Sequence, residues 1–196
     1  MNKLITFVVV FLMICSASVL VAKADPLPTA TINENRFHPL AVSAVRWQPS
    51  RQRDLPLLSN LATWVTRECR NMSRPIPNAQ LCPATMMALA FRESSWKPKA
   101  IGDRGEIGLF QIMPYSPAIA EVPVRLAQDP EVNTALAARW ISVAVQTCTR
   151  SGWRRDPNFA ERVLSSYGGA GCVKTPGARR ALHWGRSIQV RRELGR

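Results

Sequence analysis

Histidine and acidic side chains are scarce in this 196-residue chain. Its two histidines, His38 and His183, lie far apart, and no two of its cysteines form a Cys-x-x-Cys pair. Zinc sites and thiol redox centres need clustered ligands of that kind, so no metal and no cofactor is expected. No internal repeat or low-complexity tract is present. Nothing interleaves aromatic with basic residues as a nucleic-acid module does, so nucleic acid is not an expected partner. A long apolar run occurs once, from Leu4 to Val21.

That run follows Asn2 and Lys3 and ends at Ala22-Lys23-Ala24, a small-x-small pattern. It reads as a signal peptide over residues 1–24, with Asp25 as the first mature residue and the periplasm or the exterior as destination. An uncleaved anchor is the alternative. Cys15 does not fit a lipidation site, because bulky Ile14 precedes it. The remaining cysteines, Cys69, Cys82, Cys148 and Cys172, are even in number and exported, which points to disulfides. Four cysteines allow three pairings. Cys69 with Cys82 and Cys148 with Cys172 are favoured, because each closes a short loop.

Lysine and arginine number 26 against 13 acidic residues, a formal charge of +13. Lys3 and Lys23 belong to the signal, so the mature part keeps two charges fewer, +11. Such a protein is drawn to polyanions, including wall polymers, peptidoglycan stem peptides and anionic membrane surfaces. Arg179, Arg180, Arg186, Arg191 and Arg192 near the C-terminus, with Arg150, Arg154 and Arg155, are expected to serve that attraction.

Residues 25–53 carry Pro26, Pro28, Pro39 and Pro49 without sustained periodicity and read as an extended leader. A domain over 54–196 follows. Asp54 and Pro56 open a helix with apolar residues from Leu57 to Val65 at helical spacing. Arg70 to Gln80 breaks it. Pro83 opens a second helix, rich in Met, Ala and Leu, which must stop by Lys97 before Pro98. Gly102, Gly105 and Gly108 then mark a short turn-rich or hairpin stretch. Asp129-Pro130 opens a helix with the stripe Val132, Leu136, Trp140, Val143 and Thr147. Asp156-Pro157 opens another, ended by Gly168-Gly169-Ala170-Gly171. Pro176-Gly177 reads as a turn before a last basic helix at 178–194. The fold class is mostly α with a short turn-rich or β-hairpin insert.

The candidate for chemistry is Glu93. It ends an apolar helix, where desolvation and the negative helix end both disfavour an ionised carboxylate. A carboxyl that stays protonated near neutral pH is a general acid, as glycosidic cleavage requires. Taken alone, a solvated glutamate in a last helical turn is the commoner outcome.

The surroundings change that balance. Glu93-Ser94-Ser95-Trp96 and, fourteen residues after Glu93, Ile107-Gly108-Leu109-Phe110-Gln111-Ile112-Met113-Pro114 stand in order. Asp129-Pro130-Glu131-Val132-Asn133 and Ser166-Tyr167-Gly168-Gly169-Ala170-Gly171 follow. Over roughly residues 57–171 the chain resembles the soluble lytic transglycosylases, the goose-lysozyme-like family that cuts peptidoglycan glycan strands. It departs in the last motif, where the family carries asparagine after the tyrosine and this chain has Gly168. The resemblance implies a lysozyme-like fold and makes Glu93 the sole catalytic acid, then base. It implies 1,6-anhydromuramoyl ends, formed when the muramoyl C6 hydroxyl closes onto C1. Among the substrate-site residues it implies, Ser94 would orient the site by hydrogen bonding, Gln111 and the backbone around Gly108 and Leu109 would hold the N-acetyl sugars with Phe110 as wall, and Tyr167 would reach toward Glu93 or the muramoyl ring. Small exported members look similar to enzymes that open the wall for an envelope-spanning secretion or conjugation machine.

Two other outcomes are open. A lysozyme-type hydrolase needs a second carboxylate or the substrate amide, and Asp103 and Glu106 are the acidic residues near Glu93 in the insert. A non-catalytic peptidoglycan-binding assembly protein needs none. For Gly108, Gln111, Tyr167 and Trp96 the plain structural fates are a turn, a solvated side chain, a core tyrosine and a core tryptophan.

Overall fold

The computed structural model describes residues 36–114 and 122–195. The expected signal segment and the first part of the expected leader lie outside them. Seven α-helices are described: α1 Pro39–Trp47, α2 Leu55–Asn71, α3 Cys82–Ser94, α4 Val124–Ala127, α5 Pro130–Arg150, α6 Phe159–Tyr167 and α7 Pro176–Leu194. Short 3-10 turns cover Pro49–Asp54 and Trp153–Arg155. Among the described residues there is no strand, and no helix is long and apolar enough to cross a membrane.

The chain is built around α3. Every residue from Cys82 to Ala90 is buried, so this helix is covered on all sides rather than amphipathic. α7 packs against α3 and α1, and α2 against α1, α3 and α5. Gly185 of α7 makes the α3 contact close: a Cβ there would stand 2.7 Å from the Thr85 Cα. Trp47, Phe91, Trp96 and Trp184 join α1, α3 and α7 in an aromatic cluster with ring centroids 4.8–6.1 Å apart. Cys69 pairs with Cys82, tying α2 to α3, and Cys148 pairs with Cys172, tying α5 to the segment before α7. Both are the favoured pairings.

Several expectations need correction. From Pro39 the leader is not extended; Leu40 to Val45 are buried in α1. At the first helical position the missing N–H of Pro39 costs nothing. The same holds for Pro176, which begins α7 behind the Thr175 cap instead of forming a turn. Asp129 caps α5 as expected, accepting from Glu131 and Val132 N–H at 2.9 and 3.0 Å. Asp54 makes no cap bond and pairs with Arg51 at 2.6 Å. Asp156 accepts from the Asn158 N–H and Arg162 just ahead of α6, which starts at Phe159.

The stripe on α5 is also displaced. Val143 and Thr147 are exposed, and the buried face runs through Asn133, Ala137, Ile141, Ala144 and Cys148. Small residues there let α2 and α6 approach, a preference that counting large apolar residues misses. The β-hairpin insert does not form. Residues 101–112 hold only isolated bridges, Ile101 with Ile107 and Ile107 with Ile112. Nor is this stretch set apart from the body: Ile107, Leu109, Phe110 and Ile112 are buried core.

Candidate active site

Glu93 stands in the last turn of α3 and faces a cleft of about 570 Å³. One wall is Gly102–Arg104, Glu106 and Gln111–Met113, from the segment after α3. The other is Trp140 of α5 with Tyr167–Gly169 at the end of α6, and Arg92 lies beside Glu93. The Glu93 side chain is 18% exposed. Its Oε1 lies 3.0 Å from Arg92 Nη2, yet makes no aligned hydrogen bond among the described residues. Burial pushes the carboxyl above its ordinary value; Arg92 opposes this and the Glu106 carboxylate adds to it.

The turn after Glu93 is held in sparsely populated backbone. Ser95 and Trp96 take φ of 53° and 59°, and Gln111 takes 48°. Among the described residues these are the non-glycine residues with positive φ, and all border the cleft or its supporting turn. The Trp96 indole is fully buried and donates to the Met87 carbonyl at 2.8 Å, which fixes the turn.

Ser94 is buried and does not line the cleft, and its hydroxyl donates to the Leu109 carbonyl at 2.8 Å while lying 3.1 Å from that of Ala90. It ties the helix end to the segment Gly108–Phe110. Leu109 and Phe110 are themselves core side chains, 0% exposed, so neither presents its side chain to the cleft. Gly108 does not line it either.

Asn133 explains that arrangement. Its side chain is fully buried and makes three bonds. Oδ1 accepts from the Phe110 N–H, and Nδ2 donates to the Ile107 and Ala127 carbonyls, each at 2.9 Å. Gly108 has φ 77°, and a Cβ there would stand 2.5 Å from Asn133 Nδ2. Glycine is therefore required twice over, for its dihedral and for the approach of the amide. The Asp-Pro-Glu-x-Asn motif thus ends in a clamp on the Gly108 segment.

Gln111 does line the cleft, with Nε2 donating to the Gly108 carbonyl at 3.0 Å. Tyr167 lines it too, but its hydroxyl donates to the Phe110 carbonyl at 2.7 Å instead of reaching Glu93. Burial, and then the Glu93 charge, push the Tyr167 phenol well above its ordinary value, so it stays a donor. Glu106 is held by Arg104, whose Nε and Nη2 reach Oε1 at 2.8 and 2.7 Å and whose N–H reaches Oε2 at 2.9 Å. Backbone hydrogen bonds from its own and the Arg104 N–H, with that guanidinium, keep its carboxyl below the ordinary value.

Trp140 and Arg92 are cleft residues that sequence reading did not select. Trp140 was placed in an apolar stripe; its indole N–H donates to the Tyr167 carbonyl at 3.1 Å. Arg92 gave no signal beyond adjacency to Glu93. Among the described residues no group of three or more His, Cys, Asp and Glu side chains could hold a metal ion.

No curated protein and no solved structure matches the chain. The family model described as the transglycosylase SLT domain matches residues 73–181, which is more than half of the chain and contains α3, the Asn133 clamp, Tyr167 and both walls of the cleft. With half-buried Glu93 facing the cleft inside that matched region, this chain belongs to the transglycosylase SLT domain family, the soluble lytic transglycosylases.

Proposed function

We propose that the protein is a peptidoglycan lytic transglycosylase that cleaves the β-1,4 bond between N-acetylmuramic acid and N-acetylglucosamine and leaves 1,6-anhydromuramic ends. The observation that carries this reading is Glu93, a mostly buried carboxyl at the cleft whose Oε1 has Arg92 beside it but makes no aligned hydrogen bond among the described residues, and whose proton affinity is raised. Glu93 gives its proton to the glycosidic oxygen as the C1–O bond breaks. The resulting carboxylate takes the proton of the muramoyl C6 hydroxyl, whose oxygen closes onto C1. Glu93 is thereby restored, and no water is consumed. The substrate's N-acetyl group assists at C1.

Gln111 has its amide nitrogen committed to the Gly108 carbonyl, which leaves its amide oxygen for a sugar N–H. Trp140 and Tyr167 offer aromatic faces along the wall. The Asn133 clamp and the Ser94 bond keep the segment around Gln111 in register with Glu93. The protein acts outside the cytoplasm, in the periplasm or beyond, in keeping with the apolar N-terminal run and the paired cysteines. An envelope-spanning secretion or conjugation machine is a partner consistent with its small size.

A hydrolytic lysozyme is the second reading, and Glu106 is the observation that favours it. Glu106 lines the same cleft and is held ionised. However, the ion pair and hydrogen bonds from Arg104 occupy both of its oxygens, which weakens it as a base. Digestion of purified sacculi followed by mass spectrometry separates the two. Anhydromuramoyl products support the transglycosylase, and reducing-end products alone would overturn it. Glu93→Gln should keep fold and glycan binding and lose nearly all turnover, because an amide has no carboxylic proton to give.

A further inference from the structure

Arg92 is the cation paired with Glu93 among the described residues of the cleft, and the proton transfers proposed above do not use it. Its presence runs against them, because a guanidinium favours the ionised form of a neighbouring carboxyl. Its side chain is 26% exposed, so most of it is withdrawn from water. Its polar contact among the described residues is Glu93 Oε1 at 3.0 Å. Of the other carboxylates that line the cleft, Asp103 and Glu106, Glu106 is paired with Arg104, and neither pairs with Arg92 among the described residues. When Glu93 carries its proton, no carboxylate among the described residues pairs with the half-buried Arg92. It has five N–H donors in a fork suited to a carboxylate.

The neighbouring backbone leaves that fork open. Gly168 and Gly177 flank it: a Cβ at Gly168 would stand 3.7 Å from Nη2, and one at Gly177 would stand 3.4 Å from Cζ and Nη1. Gly168 is also the departure from the family motif, glycine where asparagine is usual. Its φ of −76° requires no glycine, so backbone geometry does not account for the exchange. A longer side chain at 168 would cover the guanidinium from the cleft side.

We propose that Arg92 is a substrate-binding residue that takes a carboxylate of the glycan strand, making the enzyme select strands with a free carboxylate near the cleaved muramoyl residue. This rests on the transglycosylase reading. Two sources share the chemistry: the lactyl carboxylate, free once the stem peptide has been removed, and a carboxylate of the stem peptide itself. A carboxylate seated on the fork also offsets the field of Arg92 on Glu93, so the cation no longer opposes the general acid.

The test measures binding of soluble glycan oligomers to Glu93→Gln protein, in which no cleavage intervenes, with and without Arg92→Gln. Four oligomers serve: peptide-free and peptide-bearing, and each of these with its carboxylates amidated. Arg92→Gln should weaken binding of the carboxylate oligomers about tenfold or more and of the amidated ones less than about twofold. Arg92→Lys should recover part of the loss, since charge is kept and the fork is not. A loss confined to peptide-free oligomers assigns the lactyl carboxylate, and one confined to peptide-bearing oligomers assigns the stem peptide. Equal losses for charged and amidated oligomers, or no loss for either, would overturn the proposal. Digestion of sacculi by the parent protein separates this from the larger reading. If the parent releases anhydro products while Arg92→Gln does not discriminate, the Arg92 role alone falls. If the parent neither binds nor cleaves, the transglycosylase reading falls and the Arg92 role with it.

Discussion

Asn133 and Gly108 should be energetically coupled, with a sign and size set by three hydrogen bonds. Asn133→Ala removes the partners of the Phe110 N–H and of the Ile107 and Ala127 carbonyls, in a side-chain site that is 0% exposed. Each orphaned buried group costs about 1–3 kcal/mol, and water entering the vacated space offsets part, so a loss of about 2–5 kcal/mol is expected. Gly108→Ala incurs about 1–2 kcal/mol for a side chain at φ 77°. Its Cβ also falls 2.5 Å from Asn133 Nδ2 and must displace the amide from the same bonds. The two costs overlap. Once Asn133 is alanine, Gly108→Ala should cost only its backbone share, so the double variant should be more stable than additivity predicts by about 2–3 kcal/mol. Urea unfolding of the four proteins with disulfides intact, followed by tryptophan fluorescence, measures the cycle. Costs that add to within about 0.5 kcal/mol would refute the clamp.

The other expectations are simpler. Because burial raises the Glu93 carboxyl above its unfolded value, the folded state holds that proton more tightly. Stability should therefore fall as pH rises from the ordinary glutamate range through the raised value, and Glu93→Gln should flatten that slope in pH-resolved unfolding. An unchanged slope would mean that Glu93 is not desolvated. Reducing either disulfide should destabilise the fold by about 3 kcal/mol, given closures of 13 and 24 residues, and non-reducing peptide mapping should recover Cys69–Cys82 and Cys148–Cys172. Arg180, Arg186, Arg191 and Arg192 are exposed, whereas Arg179 pairs with buried Glu161 at 3.3 Å and is best left intact. Replacing those four with glutamine should weaken sacculus pelleting at low salt far more than at high salt, since surface charge is screened over about 8 Å at physiological ionic strength. Equal pelleting of parent and variant at low salt would remove the polyanion-docking role.

What the sequence determined by itself was local or covalent in origin. Helix starts at proline with a capping Asp129, the end of α3 before Pro98, and the glycine turn at 108 follow from backbone sterics and short-range hydrogen bonds. The disulfide partners were legible because short closures are favoured. Glu93 was legible because an acid ending an apolar helix is unusual, and because the Gly108 motif follows it in order. What only the tertiary structure decided was which side chains meet. Pro39–Trp47 reads as leader because it lies in the proline-bearing stretch 25–53, yet its apolar face is covered by α2 and α7. Leu109, Phe110 and Ser94 sat in a site motif, yet the packing turned them into core and made their backbone, rather than their side chains, the support of the cleft. Arg92 and Trp140 entered the site from neighbouring helical positions that carry no signal of their own. A one-dimensional pattern records periodicity and caps, but burial and ion pairing depend on surfaces brought together from tens of residues away, and those surfaces set the proton affinity of Glu93.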